Sequence, residues 1–509
     1  MDNMEEVSVN ETETQETKSN KFLDLVGYSA DKGTTIKTEI VAGIVTFLAM
    51  AYILIVNPNQ ILYAGTADAR WASLFIATAF GAIIGTLLMA FLAKMPLAQA
   101  SGMGLNSMIG SIIGGGVGAF SYGYSFSLGQ AFMMVLISGI IFLLLSTLKV
   151  SGKSIREAIF DGMPVAVRSA ISVGIGLFIA FIGFQNAKVI VDDQYVLVSL
   201  VNFSKFDVNV ANAAVCLIGL FVIAILDKLN VKGSVIIGIA AAAVVGIPLG
   251  VTDLSVLAGN GDISWKFWEN FGNYFGGENS VFASFASVFT EGFPEGSLFT
   301  VIMIVITMCM IDMFDTMGTI VGCCGGNRIL SDENNKPHNY NKIMVSDAVA
   351  TCAGAMLGTS TVTTFVESGA GVSAGGRTGL TAFTTACMFF LAMFALPLFA
   401  AIPSAAAASA LVYVGVLMMQ NNVKDIDFSN AINATAAFLT IAVMVLSYSI
   451  TKGIGVGMLS YTIMSALAYV VDLIKSAITK TEKPEWNVSL VAIIVSLLFC
   501  VYFFVPAVL

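Results

Sequence analysis

Four acidic residues stand inside long apolar stretches: Asp312 and Asp315 in CMIDMFDTMGT, Asp347 in VSDAVAT and Glu367 in TTFVESGAG. An ionisable group at the centre of such a stretch costs about 2.5–3.5 kcal/mol to place in hydrocarbon, so each is a functional candidate by default. Asp312 and Asp315 are three positions apart and share a face if helical, with Gly318 and Thr319 a turn further on, where a ligand can approach closely. Glu367 is flanked by Thr363, Thr364, Ser368 and two glycines, small groups able to hydrogen-bond a planar polar ligand. Phe365 offers a ring for stacking, although an aromatic in a membrane helix more often serves packing. The plainer alternative, a protonated carboxyl bonded to a neighbouring helix, weighs more for Asp312 and Asp347 than for Asp315 and Glu367. Glu39, near the start of the first apolar stretch, can reach the interface and reads as structural.

These groups must be positioned by membrane-spanning elements. The chain is 57% hydrophobic and 11% charged, against about a quarter charged in soluble domains. Apolar stretches of roughly 17–25 residues recur, each long enough to cross a hydrocarbon core as a helix. Spanning or half-spanning elements are expected near 40–60, 73–93, 97–112, 128–148, 165–185, 211–227, 233–250, 299–321, 343–358, 360–376, 378–401, 404–420, 431–450, 453–471 and 487–507, fourteen and a C-terminal extra. No segment alternates polar and apolar residues as a barrel strand would. The expected fold class is therefore an all-α polytopic membrane protein.

Lysine and arginine are retained on the cytoplasmic side of short loops. With the N-terminus inside, eighteen of them, Arg156 included, fall in cytoplasmic segments and five outside, Arg168 standing at a helix start. The acidic segment 252–298 then faces outward. The first twenty residues carry six acids and few large apolar groups, a composition of disorder; no cleaved signal peptide is expected. The net charge of -9 argues against nucleic acid as a partner. The seven cysteines lie in or beside apolar runs and read as small buried hydrophobes, and the one histidine, His338, lies in a polar loop. Metal sites are therefore not expected.

The halves of the chain echo each other. MPVAVRSAISVG (163–174) resembles IPSAAAASALVYVG (402–415), and a Lys-Gly pair follows in each half, Lys232-Gly233 and Lys452-Gly453. Seven elements per half turn the second copy upside down, the inverted repeat of many secondary transporters. The third element (96–116) and the tenth (358–379) are rich in Gly, Ser and Thr. Irregular backbone at membrane depth is tolerated only where it is packed in protein or lines a cavity, so these two broken segments mark the binding site. Asn106-Ser107 and Glu367-Ser368 occupy similar positions within them.

With no lysine or arginine expected inside a span, an anion site would rest on helix N-termini alone. Carboxylates suit cations, protons and N–H donors, and guanine and hypoxanthine present an N1–H. An acid removed from water holds its proton more firmly, which offers a route to proton symport. A channel would need a continuous polar stripe, and an intramembrane enzyme a nucleophile-base or metal pair; neither pattern is found.

TEIVAGIVTFLAMAYILIVNP (38–58), GMGLNS (102–107), FDTMGT (314–319), GTSTVTTFVESGAGVSAGGRTGL (358–380) and the stretch from Ile402 together resemble the azaguanine-resistance branch of the nucleobase-cation symporter-2 family. The resemblance covers roughly residues 30–507. One departure is QASGMGLNS, where a proline is expected before Gly-Met-Gly.

The resemblance implies fourteen elements in two inverted repeats, with a disordered tail at 1–35, a core domain at 36–160 and 299–401, a gate domain at 161–251 and 402–509, and an extracellular loop at 252–298. It implies a plasma- or inner-membrane importer of adenine, guanine or hypoxanthine by proton symport. Asp315 and Glu367 match the family's principal base-binding acids and would also couple the proton; Asn106 matches its polar third-element residue. Gly102, Thr319, Thr364, Phe365 and Ser368 complete the expected site, without a cofactor. A same-fold anion transporter or exchanger is the alternative. Which purine is preferred, whether the coupling ion is a proton or sodium, whether gate domains pair as a homodimer and whether 487–507 spans the bilayer stay open.

Overall fold

The computed structural model describes residues 21–62, 65–113, 125–150, 153–156, 162–193, 197–259, 263–324, 329–331, 337–479, 485–486 and 488–504. Most of the expected tail, residues 1–20, lies outside them, as do Arg328, Lys336, Lys480 and Lys483. Helix α1 (Lys21–Leu25) seats Phe22 against Phe383, with ring centroids 4.9 Å apart. Residues 21–35, expected as part of a disordered tail, instead carry this helix and a short helical turn at Ala30–Lys32.

The first repeat runs through α2 (Ile36–Met50) and α3 (Ile53–Leu62), α4 (Trp71–Leu88), the short strand β1 (Gln99–Ser101) with α5 (Met103–Ile112), α6 (Leu128–Thr147), α7 (Val165–Asn186), α8 (Val208–Lys228) and α9 (Ser234–Gly246). Helix starts follow local chemistry. Thr35 caps α2 by accepting from Thr38 N, and Ser127 with Gln130 forms a reciprocal capping box on α6. Between α6 and α7 lies the hairpin β2 (Lys149–Val150) and β3 (Lys153–Ser154); between α7 and α8 lies a second, β4 (Ile190–Asp193) and β5 (Leu197–Leu200).

The segment expected as an outer loop carries two amphipathic helices, α10 (Phe267–Gly276) and α11 (Val281–Glu291). They are fastened to the bundle: Tyr274 donates to Leu357 O at 2.7 Å and Val281 N to Ser73 Oγ at 3.0 Å.

The second repeat comprises α12 (Leu298–Cys324), α13 (Tyr340–Met356), β6 (Val362–Thr364) with α14 (Ser368–Ser373), α15 (Gly379–Met393) and α16 (Leu396–Ala400), α17 (Ser404–Asn422), α18 (Ala431–Leu446) and α19 (Ile450–Thr479). Helix α20 (Leu490–Phe504) follows and lies along α19, where Thr462 and Ser496 hydroxyls meet at 2.7 Å. Among the described residues, eight helices are long and apolar enough to cross a bilayer, with shorter apolar ones at Ser234–Gly246, Gly379–Met393, Ala431–Leu446 and Leu490–Phe504.

The repeat is legible at α7 and α17, which pack along each other. Pro164 and Pro403 stand at their N-caps. Twelve residues after each proline come Gly176 and Gly415, and these touch: a Cβ on Gly415 would lie 2.4 Å from Gly176 O, and one on Gly176 2.9 Å from Gly415 O. Equivalent positions therefore meet at the crossing, as a pseudo-two-fold axis in the membrane plane requires. The Lys-Gly pairs are not equivalent. Gly233 caps α9 at φ 78°, the left-handed region open to glycine, whereas Lys452-Gly453 lies inside α19.

Replacing Gly415 by Val is expected to push α7 and α17 apart and destabilise the protein by about 1–3 kcal/mol. Gly272→Ala, inside α10 and with nothing within 4 Å of the added carbon, is the control without a clash and is expected to leave stability unchanged or raise it by up to about 1 kcal/mol. Melting of the detergent-solubilised protein checks both.

Candidate functional site

The two broken elements meet. Strand β1 pairs antiparallel with β6 in the register Gln99↔Thr364, Ala100↔Thr363 and Ser101↔Val362. Each strand then runs into a helix, at Gly102 for α5 and at Glu367 for α14. Small residues make room: a Cβ would meet Val362 Cγ1 at 2.7 Å from Gly85 and Val362 Cγ2 at 2.6 Å from Gly354, and one on Gly102 would meet Thr363 Cγ2 at 2.8 Å.

Polar side chains from neighbouring helices hold the crossing. Asn57 Nδ2 donates to Thr78 Oγ1 at 2.7 Å, to Thr359 Oγ1 at 2.9 Å and to Ser101 Oγ at 3.3 Å. Thr86 Oγ1 accepts from Gln99 N and donates to Gln99 O, both at 3.0 Å. Asp347 accepts from Gln99 Nε2 at 3.0 Å, Thr364 Oγ1 at 3.3 Å and Thr316 Oγ1 at 2.7 Å. Asp347 thus belongs to the scaffold beneath the strands.

Glu367 lies at the end of this scaffold, almost wholly buried at 9% exposure. Its Oε1 accepts from the Tyr52 hydroxyl at 2.5 Å, while Oε2 has no hydrogen-bond partner among the described residues. Asp315 is half-buried, within electrostatic reach of both Glu367 and Tyr52 and without a hydrogen-bond partner among the described residues. Thr319, a turn beyond on α12, is buried.

The shared face expected for Asp312 and Asp315 divides. Asp312 accepts from Thr351 at 3.2 Å. Thr316, one turn on, donates to Asp347 on the same helix α13, whereas Asp315 makes no such bond and lies within electrostatic reach of both Asp347 and Glu367.

The remaining expected residues have other engagements. The Thr364 hydroxyl is given to Asp347. Ser368 Oγ accepts from Ala98 N at 3.0 Å and donates to Ala98 O at 3.4 Å, clamping the start of α14 to the approach to β1. Asn106 donates to Ser101 O at 3.4 Å and accepts from Ser360 Oγ. It sits inside α5, whereas Glu367 caps α14, so the two are not equivalent positions. Phe365 is 4% exposed and packs in the apolar core.

Glu39 is fully buried instead of reaching the interface. It accepts from Arg377 N at 2.9 Å, Thr381 N at 3.2 Å and Thr378 N at 3.3 Å, holding the start of α15.

Two residues were not singled out by sequence reasoning. Tyr52 stands at the break between α2 and α3, and its signal was a phenol inside an apolar run, which needs a partner when buried. Arg156, expected in a cytoplasmic segment, is fully buried: its guanidinium lies 3.7 Å from Asp347 Oδ2 and its Cζ 3.7 Å from the centroid of the Phe142 ring. A buried cation is therefore present after all, but it faces the scaffold acid Asp347. Chemically, the open ends of the site are carboxylate oxygens. They can accept from N–H donors or bind a cation or proton, and they disfavour an anion.

Substituting Asn57 by Ala removes the amide whose two N–H groups serve three hydroxyls and is expected to cost about 1–3 kcal/mol, the penalty for stranded buried polar groups. A lowered melting temperature in detergent checks this.

The comparisons agree with this architecture. A family model described as Permease family (Xan_ur_permease) matches residues 37–456. The chain is 36% identical over 439 residues to the guanine/hypoxanthine permease PbuO of Bacillus subtilis, covering 86% of this chain and 93% of that protein. It is 34% identical over 433 residues to the adenine permease AdeQ of Escherichia coli, covering 85% and 88%. Among solved structures, the transmembrane domain of the cyanobacterial bicarbonate transporter BicA superposes with a TM-score of 0.55 at 16% identity, covering 84% of this chain and 98% of that one.

Proposed function

The chain belongs to the Permease family, whose members are transporters rather than enzymes, and we propose that it carries a purine nucleobase inward together with a proton by alternating access. Identity of 34–36% along nearly the full chain to named guanine/hypoxanthine and adenine permeases supports the substrate class. The observation that carries the reading is Glu367. One oxygen is fixed by Tyr52 and the other is unpartnered, with Asp315 close by.

A base presenting N–H groups bonds to Glu367 Oε2 and to Asp315, and a proton taken by one of these acids accompanies it. Gly102, Thr319 and Phe365 supply close approach, a hydroxyl and an apolar wall, while Asn106, Thr364 and Ser368 hold the backbone that presents Glu367. Residues 36–160 and 299–401 form the core that carries the base against a gate of 161–251 and 402–509. The protein lies in the cell membrane with its N-terminus cytoplasmic. The fold itself is shared with a bicarbonate transporter, and fold alone does not choose a substrate.

Uptake of radiolabelled hypoxanthine, guanine and adenine by cells lacking their own purine permeases tests this. Uptake is expected to rise at acidic outer pH. Asp315→Asn and Glu367→Gln are expected to lower apparent affinity by about 10–150-fold, the worth of one hydrogen bond to a charged group. A well-expressed wild type that takes up no base sinks the purine assignment, and uptake indifferent to outer pH sinks the proton.

A further inference from the structure

The buried Arg156 plays no part in that reading, yet the interior holds it at a cost. A guanidinium carried out of water is costly unless a carboxylate and hydrogen bonds compensate it. Here the compensation is incomplete. Nη1 reaches Ser146 Oγ at 3.4 Å, Nη2 and Nε have no hydrogen-bond partner among the described residues, and the contact to Asp347 is ionic at 3.7 Å. Phe142 takes the flat face of the cation. Besides Asp347, the titratable groups facing it are Asp312 and Cys309 from α12 and Tyr340 from α13. A side chain kept under these terms has a purpose that salt-bridge energy does not supply, because a buried pair is weak evidence for stability.

The purpose follows from what Asp347 touches. Its Oδ1 accepts from Gln99 of β1 and Thr364 of β6, the two members of one rung, and its Oδ2 accepts from Thr316 of α12. One carboxylate therefore joins both strands of the crossing to the helix that carries Asp315. An acceptor of that many bonds works best as a carboxylate, and Arg156 is the cation within reach of it.

We propose that Arg156 is a positioning residue that acts through Asp347: it balances the charge of the carboxylate that fixes the strand crossing, and so sets the placement of Glu367 and Asp315 towards substrate. This rests on the assignment of those two acids to the substrate site. Arg156 also lies on the connection between α6 and α7, the passage from core to gate, so the same contact ties that connection into the core.

A double-mutant cycle tests it, with Arg156→Met, Asp347→Asn, the pair together and Arg156→Lys. Each neutral single variant removes one member of the Arg156–Asp347 pair and strands the other, whereas the double removes both. Purine uptake by each single is expected to show a KM raised about tenfold or more, within the coupling range of contacting residues, with a smaller change in maximal rate. The double is expected to fall short of the product of the singles, and Arg156→Lys to recover part of the affinity. Multiplicative effects, or an Arg156→Met protein with wild-type KM, overturn the proposal. If a single variant does not fold, the double must still do so; a double that also fails to fold overturns charge balance. Melting temperatures of the same proteins give the coupling without any substrate, so a wild type inactive towards purines would sink the functional reading and leave this inference to be decided by that second readout.

Discussion

Hydrocarbon offers no partner to a backbone N–H or C=O, so two elements that stop being helical at membrane depth must satisfy each other. That constraint governs the molecule. The three-rung pairing of Gln99–Ser101 with Val362–Thr364 supplies those partners. Gly85, Gly102 and Gly354 admit it sterically, and Asn57, Thr86 and Asp347 anchor it by side-chain hydrogen bonds. The helices around it are a housing that keeps this short sheet from lipid.

Function grows from the same place. Strands too short to continue give way to helices at Gly102 and Glu367, which brings an acidic side chain to the rim of the crossing. Tyr52 fixes one oxygen of that acid and leaves the other open. A transporter must hold its cargo weakly enough to release it on the far side, and a site of few, well-oriented polar groups meets that need better than a charged cage. The chain shares its fold with the transmembrane domain of a bicarbonate transporter, and fold alone does not choose a substrate.

Much of this was legible in the sequence because it is local. Apolar length gave the spans, the Gly, Ser and Thr content of 96–116 and 358–379 marked the broken elements, and Pro164 with Pro403 marked the repeat, although Gly415 meets Gly176 and not the Gly174 of the matched motif. What stayed hidden depends on distant partners. Gln99 and Thr364 are 265 positions apart, and no local pattern reveals their rung. The engagement of Ser368 by Ala98, 270 positions away, is equally non-local, and that of Thr364 by Asp347 joins two separate elements. Nor does a count of charges reveal the burial of Arg156, whose long side chain folds back onto Phe142 of the preceding helix.

In the proposed function, substrate binds at the rim of the strand crossing. A structure determined with saturating hypoxanthine or adenine tests it most directly. The account predicts a planar base within hydrogen-bonding distance of Glu367 and Asp315, with Tyr52 still on the other Glu367 oxygen. A base bound away from both acids, with Glu367 still half unpartnered, would contradict it.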